Sequence, residues 1–178
     1  MIGGKNLVFL ALAAAVLSGC AVPRTAAAPP EPYETTRAAV AYVIDGDTLI
    51  VTTGLRRSRV RLLGLDAPED TRRHDCFGGQ SSAELRWLLP RGSPVLIARD
   101  RHRRDPYGRA LAYVWRPDGT FVNRVLLRGG FATTMLLPPA GRHRGELLTA
   151  ESRARRDHAG LWRACVNARA GPGRGEAR

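Results

Sequence analysis

Val43-Ile44-Asp45-Gly46-Asp47-Thr48 opens a stretch that closes with Arg61-Leu62-Leu63-Gly64-Leu65-Asp66-Ala67-Pro68-Glu69. Each half sets β-branched or alternating apolar residues against an abrupt polar stop, the pattern of a strand handing over to a loop. Ala38 to Ile44 is the first strand, and Asp45-Gly46 is a strong turn signal. Thr48 to Thr53 follows as a second strand, and Gly54 starts the next turn. Arg59 to Leu65 first alternates charged and apolar residues and then runs apolar, as a strand entering a core does. Asp47 therefore opens the second strand and Asp66 closes the third. In an antiparallel arrangement the two carboxylates can lie at the same end of the sheet, where a rigid scaffold presents reactive groups to water. Taken alone, Asp45-Gly46-Asp47 reads equally as a plain hairpin turn.

Further along, a long loop covers Asp66 to Gly79, and Ser81 to Leu89 has helical spacing, with serine as N-cap and Pro90 beyond the end. Pro94 to Arg99 and Arg109 to Trp115 are two more strands, joined by the charged loop Asp100 to Gly108. After the turn Pro117-Asp118-Gly119, Phe121 to Arg128 reads as a second helix closed by Gly129-Gly130. Gly145 to Asp157 reads as a third, with a weak apolar stripe of Leu147, Leu148, Ala150 and Ala154. Five strands with three interspersed helices make an α+β domain with a mostly β core; the pattern alone leaves barrel and open sheet undecided. No internal repeat is present.

The ends of the chain are of another kind. Lys5 and the apolar run Leu7 to Leu17 form a signal peptide over 1–19, too short to span a bilayer, which takes about 20 residues. It ends Leu17-Ser18-Gly19-Cys20, which resembles the lipobox of bacterial lipoproteins. That likeness implies cleavage before Cys20, lipidation of its sulfur, and an extracytoplasmic protein anchored to the membrane. A secretory signal with a chance cysteine is the alternative. Residues 20–35 are an Ala/Pro-rich tether, 36–166 the folded domain, and 167–178 a disordered basic tail.

Composition, with 44% hydrophobic and 25% charged residues, excludes wholesale disorder. The net charge of +12 favours polyanionic partners such as nucleic acid. Every basic residue except Lys5 is arginine, however, so compositional bias explains the charge as readily as a binding face does. With Cys20 lipidated, Cys76 and Cys165 remain as an even pair in an oxidising compartment. A bridge between them would close a loop of about 90 residues and contribute about 4 kcal/mol by the chain-entropy model; the alternative is two unpaired thiols. Neither has a second ligand at zinc-binding spacing. His74, His102, His143 and His158 are scattered among arginines and read as surface residues.

The chemistry concentrates in a few positions. Asp47 and Asp66 offer the oxygen ligands that suit Ca²⁺. Glu69, just beyond the rigid Pro68, can bind a metal-activated water and take its proton, although an isolated loop glutamate is commonly only solvated. Arg61 stands amid Val60, Leu62 and Leu63, where a charge needs a partner, either a structural carboxylate or a substrate phosphate. In Asp105-Pro106-Tyr107-Gly108-Arg109, glycine permits close approach, Arg109 can grip a phosphate through two hydrogen bonds, and Tyr107 can donate its hydroxyl or stack on a base. By itself this segment is also a surface turn before a strand.

Taken in order, Asp-Gly-Asp-Thr, Arg-Leu-Leu-Gly-Leu-Asp-Ala-Pro-Glu and Asp-Pro-Tyr-Gly-Arg resemble the staphylococcal nuclease (thermonuclease) family. The likeness runs from about Val40 to Trp162 and includes Asp118-Gly119-Thr120-Phe121-Val122-Asn123 and Gly160-Leu161-Trp162. It implies an OB-type five-stranded barrel with three helices. The family's catalytic positions fall on Arg61, Glu69 and Arg109, and its calcium carboxylates on Asp47 and Asp66. A further calcium ligand, a backbone carbonyl, falls on Ala67 where threonine is common, and Tyr107 matches a phosphate-contacting tyrosine. The implied activity is Ca²⁺-dependent hydrolysis of DNA and RNA by a monomer. Glu69 would be the general base, Arg61 and Arg109 would stabilise the transition state, and 3′-phosphorylated products would form.

The chain departs from the family in two places. The stretch after the second helix reads Thr133-Thr134-Met135-Leu136-Leu137, without the aromatic residue that the archetype places near the base. The loop after Glu69 carries Cys76 and two arginines instead of lysines. Two rival readings are a non-catalytic OB-fold module that binds nucleic acid on the cell surface, and an envelope lipoprotein whose basic surface meets acidic wall polymers.

Overall fold

The structure, a computed structural model, describes residues 35–70, 74–100, 104–136 and 141–165. The signal peptide, Cys20, the tether up to residue 34 and the basic tail fall outside the described residues, and Thr35, expected to end the tether, begins the first strand. In chain order the elements are β1 (Thr35–Val43), β2 (Thr48–Thr53), β3 (Arg56–Leu62), β4 (Gly64–Asp66), α1 (Gly78–Leu88), β5 (Pro94–Ala98), β6 (Ala110–Trp115), α2 (Val122–Arg128), β7 (Thr133–Met135), α3 (Arg144–Arg156) and α4 (Leu161–Ala164).

Five strands close a barrel in the order β1-β2-β3-β6-β5, with β5 returning to β1. All pairings are antiparallel except β3 with β6, where Val60 meets Ala110 and Arg61 meets Leu111. The interior is filled by the inward positions of alternating strands, among them Val40, Leu49, Val60, Leu62, Val95 and Val114, all nearly inaccessible to solvent. Leu85 of α1, Leu126 and Leu127 of α2 and Leu147 of α3 extend the same core beneath the helices. The fold is thus a closed mixed barrel flanked by helices, the OB-type α+β architecture.

In three places the structure departs from the sequence pattern. The apolar run expected as one strand from Arg59 to Leu65 breaks at Leu63. Gly64 then adopts φ +79, and a Cβ there would come within 2.4 Å of Leu147 Cδ1, so the chain can turn out of the barrel only with glycine. β4 pairs instead with β7, Gly64 opposite Met135 and Asp66 opposite Thr133, in a small separate sheet. The buried Asn123 amide holds this corner, donating to Leu63 O (2.8 Å) and accepting from Val114 N (3.0 Å).

The second departure concerns α1, which starts three residues before Ser81. Ser81 is not its N-cap but is buried within it, its hydroxyl 2.6 Å from Phe131 O. Phe77 takes the cap position at φ 72 without a side-chain cap bond. Third, a short α4 follows Gly160, so four helical segments stand among the described residues where three were expected. The end of α2 agrees with the sequence. Gly130 at φ +70 lets its N–H reach Leu127 O (3.1 Å) and Phe131 N reach Leu126 O (2.9 Å), a Schellman closure.

Cys76 and Cys165 are joined as a disulfide, Cα atoms 5.9 Å apart, tying the loop before α1 to the end of α4. Among the described residues no helix is long and apolar enough to cross a membrane.

Candidate active site

The turn between β1 and β2 exists to aim one side chain. Asp45 Oδ1 accepts the Asp47 N–H (3.1 Å), and Gly46 lies so close to Ala67 and Ser81 that a Cβ there would fall 2.7 and 2.8 Å from theirs. Asp47 is thereby driven inward. Its Oδ1 accepts from Thr48 Oγ1 (2.9 Å), and its Oδ2 accepts from Ala67 N (2.8 Å) and pairs with Arg61 Nη1. Burial pushes the Asp47 carboxyl up to about 7, against the opposing pull of the Arg61 charge and with a further push from Asp45.

Arg61 leaves β3 on the outward side, since its neighbours Val60 and Leu62 fill the barrel. The β4 corner brings Asp66 back over it, so Nη2 reaches Asp66 Oδ1 at 2.5 Å while Nη1 holds Asp47. Its partners here are therefore two structural carboxylates. A guanidinium has five N–H donors, so others remain to meet an anion. The guanidinium is almost fully buried, whereas the Asp66 side chain keeps 45% exposure toward the cleft.

Glu69 is fixed by its backbone and free at its carboxylate. Its N–H donates to Asp75 Oδ2 (3.2 Å), its carbonyl accepts from Asp75 N (2.8 Å), and Gly78 packs against that carbonyl so closely that a Cβ would lie 2.4 Å away. The carboxylate itself makes no hydrogen bond or ion pair with a described residue.

In the turn before β6, the neighbour of β3, Asp105 organises the second arginine. Its Oδ1 accepts from Tyr107 N (3.0 Å) and Arg109 N (2.9 Å), and its Oδ2 accepts from Arg109 Nε (2.5 Å). Burial would raise the Asp105 carboxyl, but the Arg109 hydrogen bonds and charge, with Tyr107 N–H, hold it below the usual carboxylate range. Both Nη groups of Arg109 are left without a hydrogen-bond partner among the described residues. Tyr107 stands 84% exposed beside them.

Asp47, Arg61, Asp66, Glu69, Tyr107 and Arg109 all line one cleft of about 600 Å³. Leu111, Met135 and Leu136 give it an apolar side, which places the aromatic-free segment after α2 at the cleft wall. Ala67, the expected carbonyl donor, is tied to Asp47 through its N–H. Sequence reading did not single out Asp75, Thr48 or Asp105 as supports. Asp105 carries a recognisable signal, an aspartate opening a Pro-containing turn that can bond its own backbone two residues on. Asp75 carries none, because its role depends on how the loop folds back.

The donor set is suited to a hard cation: two carboxylates and a carbonyl, with oxygen throughout. Asp47 in particular is a buried carboxyl that burial drives toward its neutral form, and a divalent ion beside it would favour the anion. No group of three or more His, Cys, Asp or Glu side chains able to hold a metal occurs among the described residues. An ion here would complete its shell from water or substrate. Of the histidines, His143 pairs with Glu146 (3.0 Å) inside an aromatic cluster with Tyr113, Trp115 and Phe121, so it is no surface residue. His74 and His158 are exposed, and His102 lies outside the described residues.

Comparison with known proteins gives a consistent result. The family model described as staphylococcal nuclease homologue matches residues 59–164. A thermonuclease of Staphylococcus intermedius is 33% identical over 125 residues, covering 69% of this chain and 74% of that protein. An uncharacterized endonuclease of Escherichia coli is 32% identical over 130 residues, with the same 69% and 74% coverage. An endonuclease of Bacillus subtilis is 29% identical over 146 residues, 76% of this chain but 12% of its own length.

Proposed function

Since the chain belongs to the staphylococcal nuclease family, we propose that it is a nuclease that hydrolyses phosphodiester bonds of DNA and RNA with Ca²⁺. The observation that carries this reading is the convergence of Arg61, Arg109, Glu69 and two aspartates on one cleft. Asp47, Asp66 and the Ala67 carbonyl would hold Ca²⁺, which when bound supplies positive charge to a non-bridging phosphate oxygen and orders water.

The chain's own residues do the rest. Glu69, with its carboxylate unengaged, accepts a proton from the attacking water or orients it. Arg61 and Arg109, each anchored by a carboxylate, aim their remaining N–H donors at charge that builds on the five-coordinate phosphorus. Water oxygen bonds to phosphorus, the bond to the 5′-oxygen breaks, and that oxygen takes a proton, leaving a 3′-phosphate and a 5′-hydroxyl. We place the protein outside the cytoplasm, as a monomer anchored to the membrane through a lipid on Cys20, with Tyr107 meeting the substrate phosphate.

The test is cleavage of denatured DNA and of RNA by the purified full chain, with Ca²⁺ and with chelator. Chelator-sensitive cleavage with 3′-phosphate ends is expected. Retention of DNA without cleavage would instead select the non-catalytic binding module. Glu69→Gln is expected to lower kcat by about 10²- to 10⁴-fold with the melting temperature held; unchanged turnover would remove Glu69 from the reaction.

A further inference from the structure

The outward face of the first three strands carries a feature that the cleft chemistry does not use. β1, β2 and β3 contain no acidic residue, and β3 runs Arg56-Arg57-Ser58-Arg59-Val60-Arg61. Because Val60 and Leu62 point into the core, Arg57, Arg59 and Arg61 share the opposite face, each about 6.7 Å along the strand from the next. Arg61 ends in the cleft. Arg57 and Arg59 are exposed and form no ion pair or hydrogen bond with a described residue. Arg109 directly precedes Ala110, the partner of Val60, so Arg59 and Arg109 flank the same rung of adjoining strands.

One large aromatic side chain belongs to the same face. Arg59 pairs with Ile50, and Ile50 with Tyr42, whose side chain is 52% exposed. A bulge between Val40 and Tyr42 produces this. Val40 is buried, and strict alternation would turn residue 42 inward with it; the extra residue Ala41 turns Tyr42 out to solvent instead.

We propose that this face continues the substrate track, binding the single strand on one side of the cleaved bond, with a base stacked on Tyr42 and successive phosphates on Arg59 and Arg57. It rests on the nuclease reading of the cleft. The spacing of alternate strand residues is comparable to one phosphate-to-phosphate step of an extended single strand, and each guanidinium offers a fork to a phosphate. A strand-borne aromatic ring takes any unstacked base and offers nothing to a paired one, which selects a single strand over a duplex. An anionic lipid surface would satisfy the arginines but would give neither the outward-turned ring nor the continuity with Arg61 a role.

The experiment measures binding by the full chain in chelator, which prevents cleavage, to a labelled single-stranded oligonucleotide of about twelve nucleotides. Arg57→Gln with Arg59→Gln is expected to weaken binding and to flatten the dependence of log K on log salt by about 1.4, roughly 0.7 for each phosphate no longer neutralised. Tyr42→Ala is expected to weaken binding about tenfold with the slope held. An unchanged slope in the double variant overturns the proposal. So does equal weakening on duplex DNA after Tyr42→Ala, or a double variant that loses binding to phosphatidylglycerol vesicles while its oligonucleotide binding is unchanged. Hydrolysis of a dinucleotide by the unaltered chain with Ca²⁺, a substrate too short to reach Arg57, tests the nuclease reading separately. Its failure leaves the binding arms to decide the track, and its success beside an unchanged slope sinks the track alone.

Discussion

At the scale of single residues, the site is built around a buried charge problem. Asp47 sits where its charged form is disfavoured by burial, and Arg61 only partly restores it. Its carboxyl is raised from 3.8 to about 7, so the folded chain binds a proton more tightly than the unfolded one. The stability tied to this group is therefore present below about pH 4 and lost as pH rises through about 7. A bound divalent ion would offset that loss, and protons would compete with it. The increase in Tm on adding Ca²⁺ is accordingly expected to be larger at about pH 8 than at about pH 5, and calorimetry of the same protein with and without chelator measures it. An equal increment at both pH values would detach Asp47 from the ion. Asp47, Arg61, Asp66, Glu69 and Arg109 were all legible as chemistry-bearing residues because each interrupts an apolar run or follows a turn signal. The sequence left the partner of Arg61 open between a structural carboxylate and a substrate phosphate; the structure supplies two carboxylates.

Among the elements, the barrel strands were readable and the exit from the barrel was not. Apolar runs bounded by turn residues mark β1, β2, β5 and β6 within a few residues, although β6 is buried along its whole length. Leu62-Leu63-Gly64-Leu65 looks continuous in sequence, and only the contact of Gly64 with Leu147 of α3 shows that the chain must turn there. Gly64→Ala joins a strained positive φ to a collision with a fully buried leucine. It is expected to destabilise the fold by about 2–4 kcal/mol in urea unfolding. It should also weaken Ca²⁺ binding, since β4 carries Asp66. A loss below about 0.5 kcal/mol would mean that the corner is not held by close packing. The start of α1 was misread for a related reason: Ser81 has the chemistry of an N-cap, but tertiary contacts with Gly46 and Phe131 draw it into the helix.

For the whole molecule, the Cys76–Cys165 bridge spans 89 positions and anchors the chain one residue beyond Asp75, which grips Glu69. Cys76→Ser with Cys165→Ser is expected to cost about 2–4 kcal/mol through the greater freedom of the unfolded chain. Because Asp75 adjoins Cys76, the variant should also lose cleavage at temperatures well below its own Tm. Parallel melting and activity curves check this. Loss of activity that only tracks unfolding would confine the bridge to a stabilising part.

The sequence by itself determined the class of fold, the motifs of the cleft and the family they resemble, because those depend on local periodicity, turn chemistry and residue type. Tertiary structure decided how the parts meet. Closing the barrel set Arg61 beneath Asp66 and in one cleft with Arg109, the bulge in β1 turned Tyr42 outward, and the loop fold brought Asp75 to Glu69. Each of these arrangements depends on strand register or on a chain reversal. Register follows from packing all strands at once, so no single stretch encodes it.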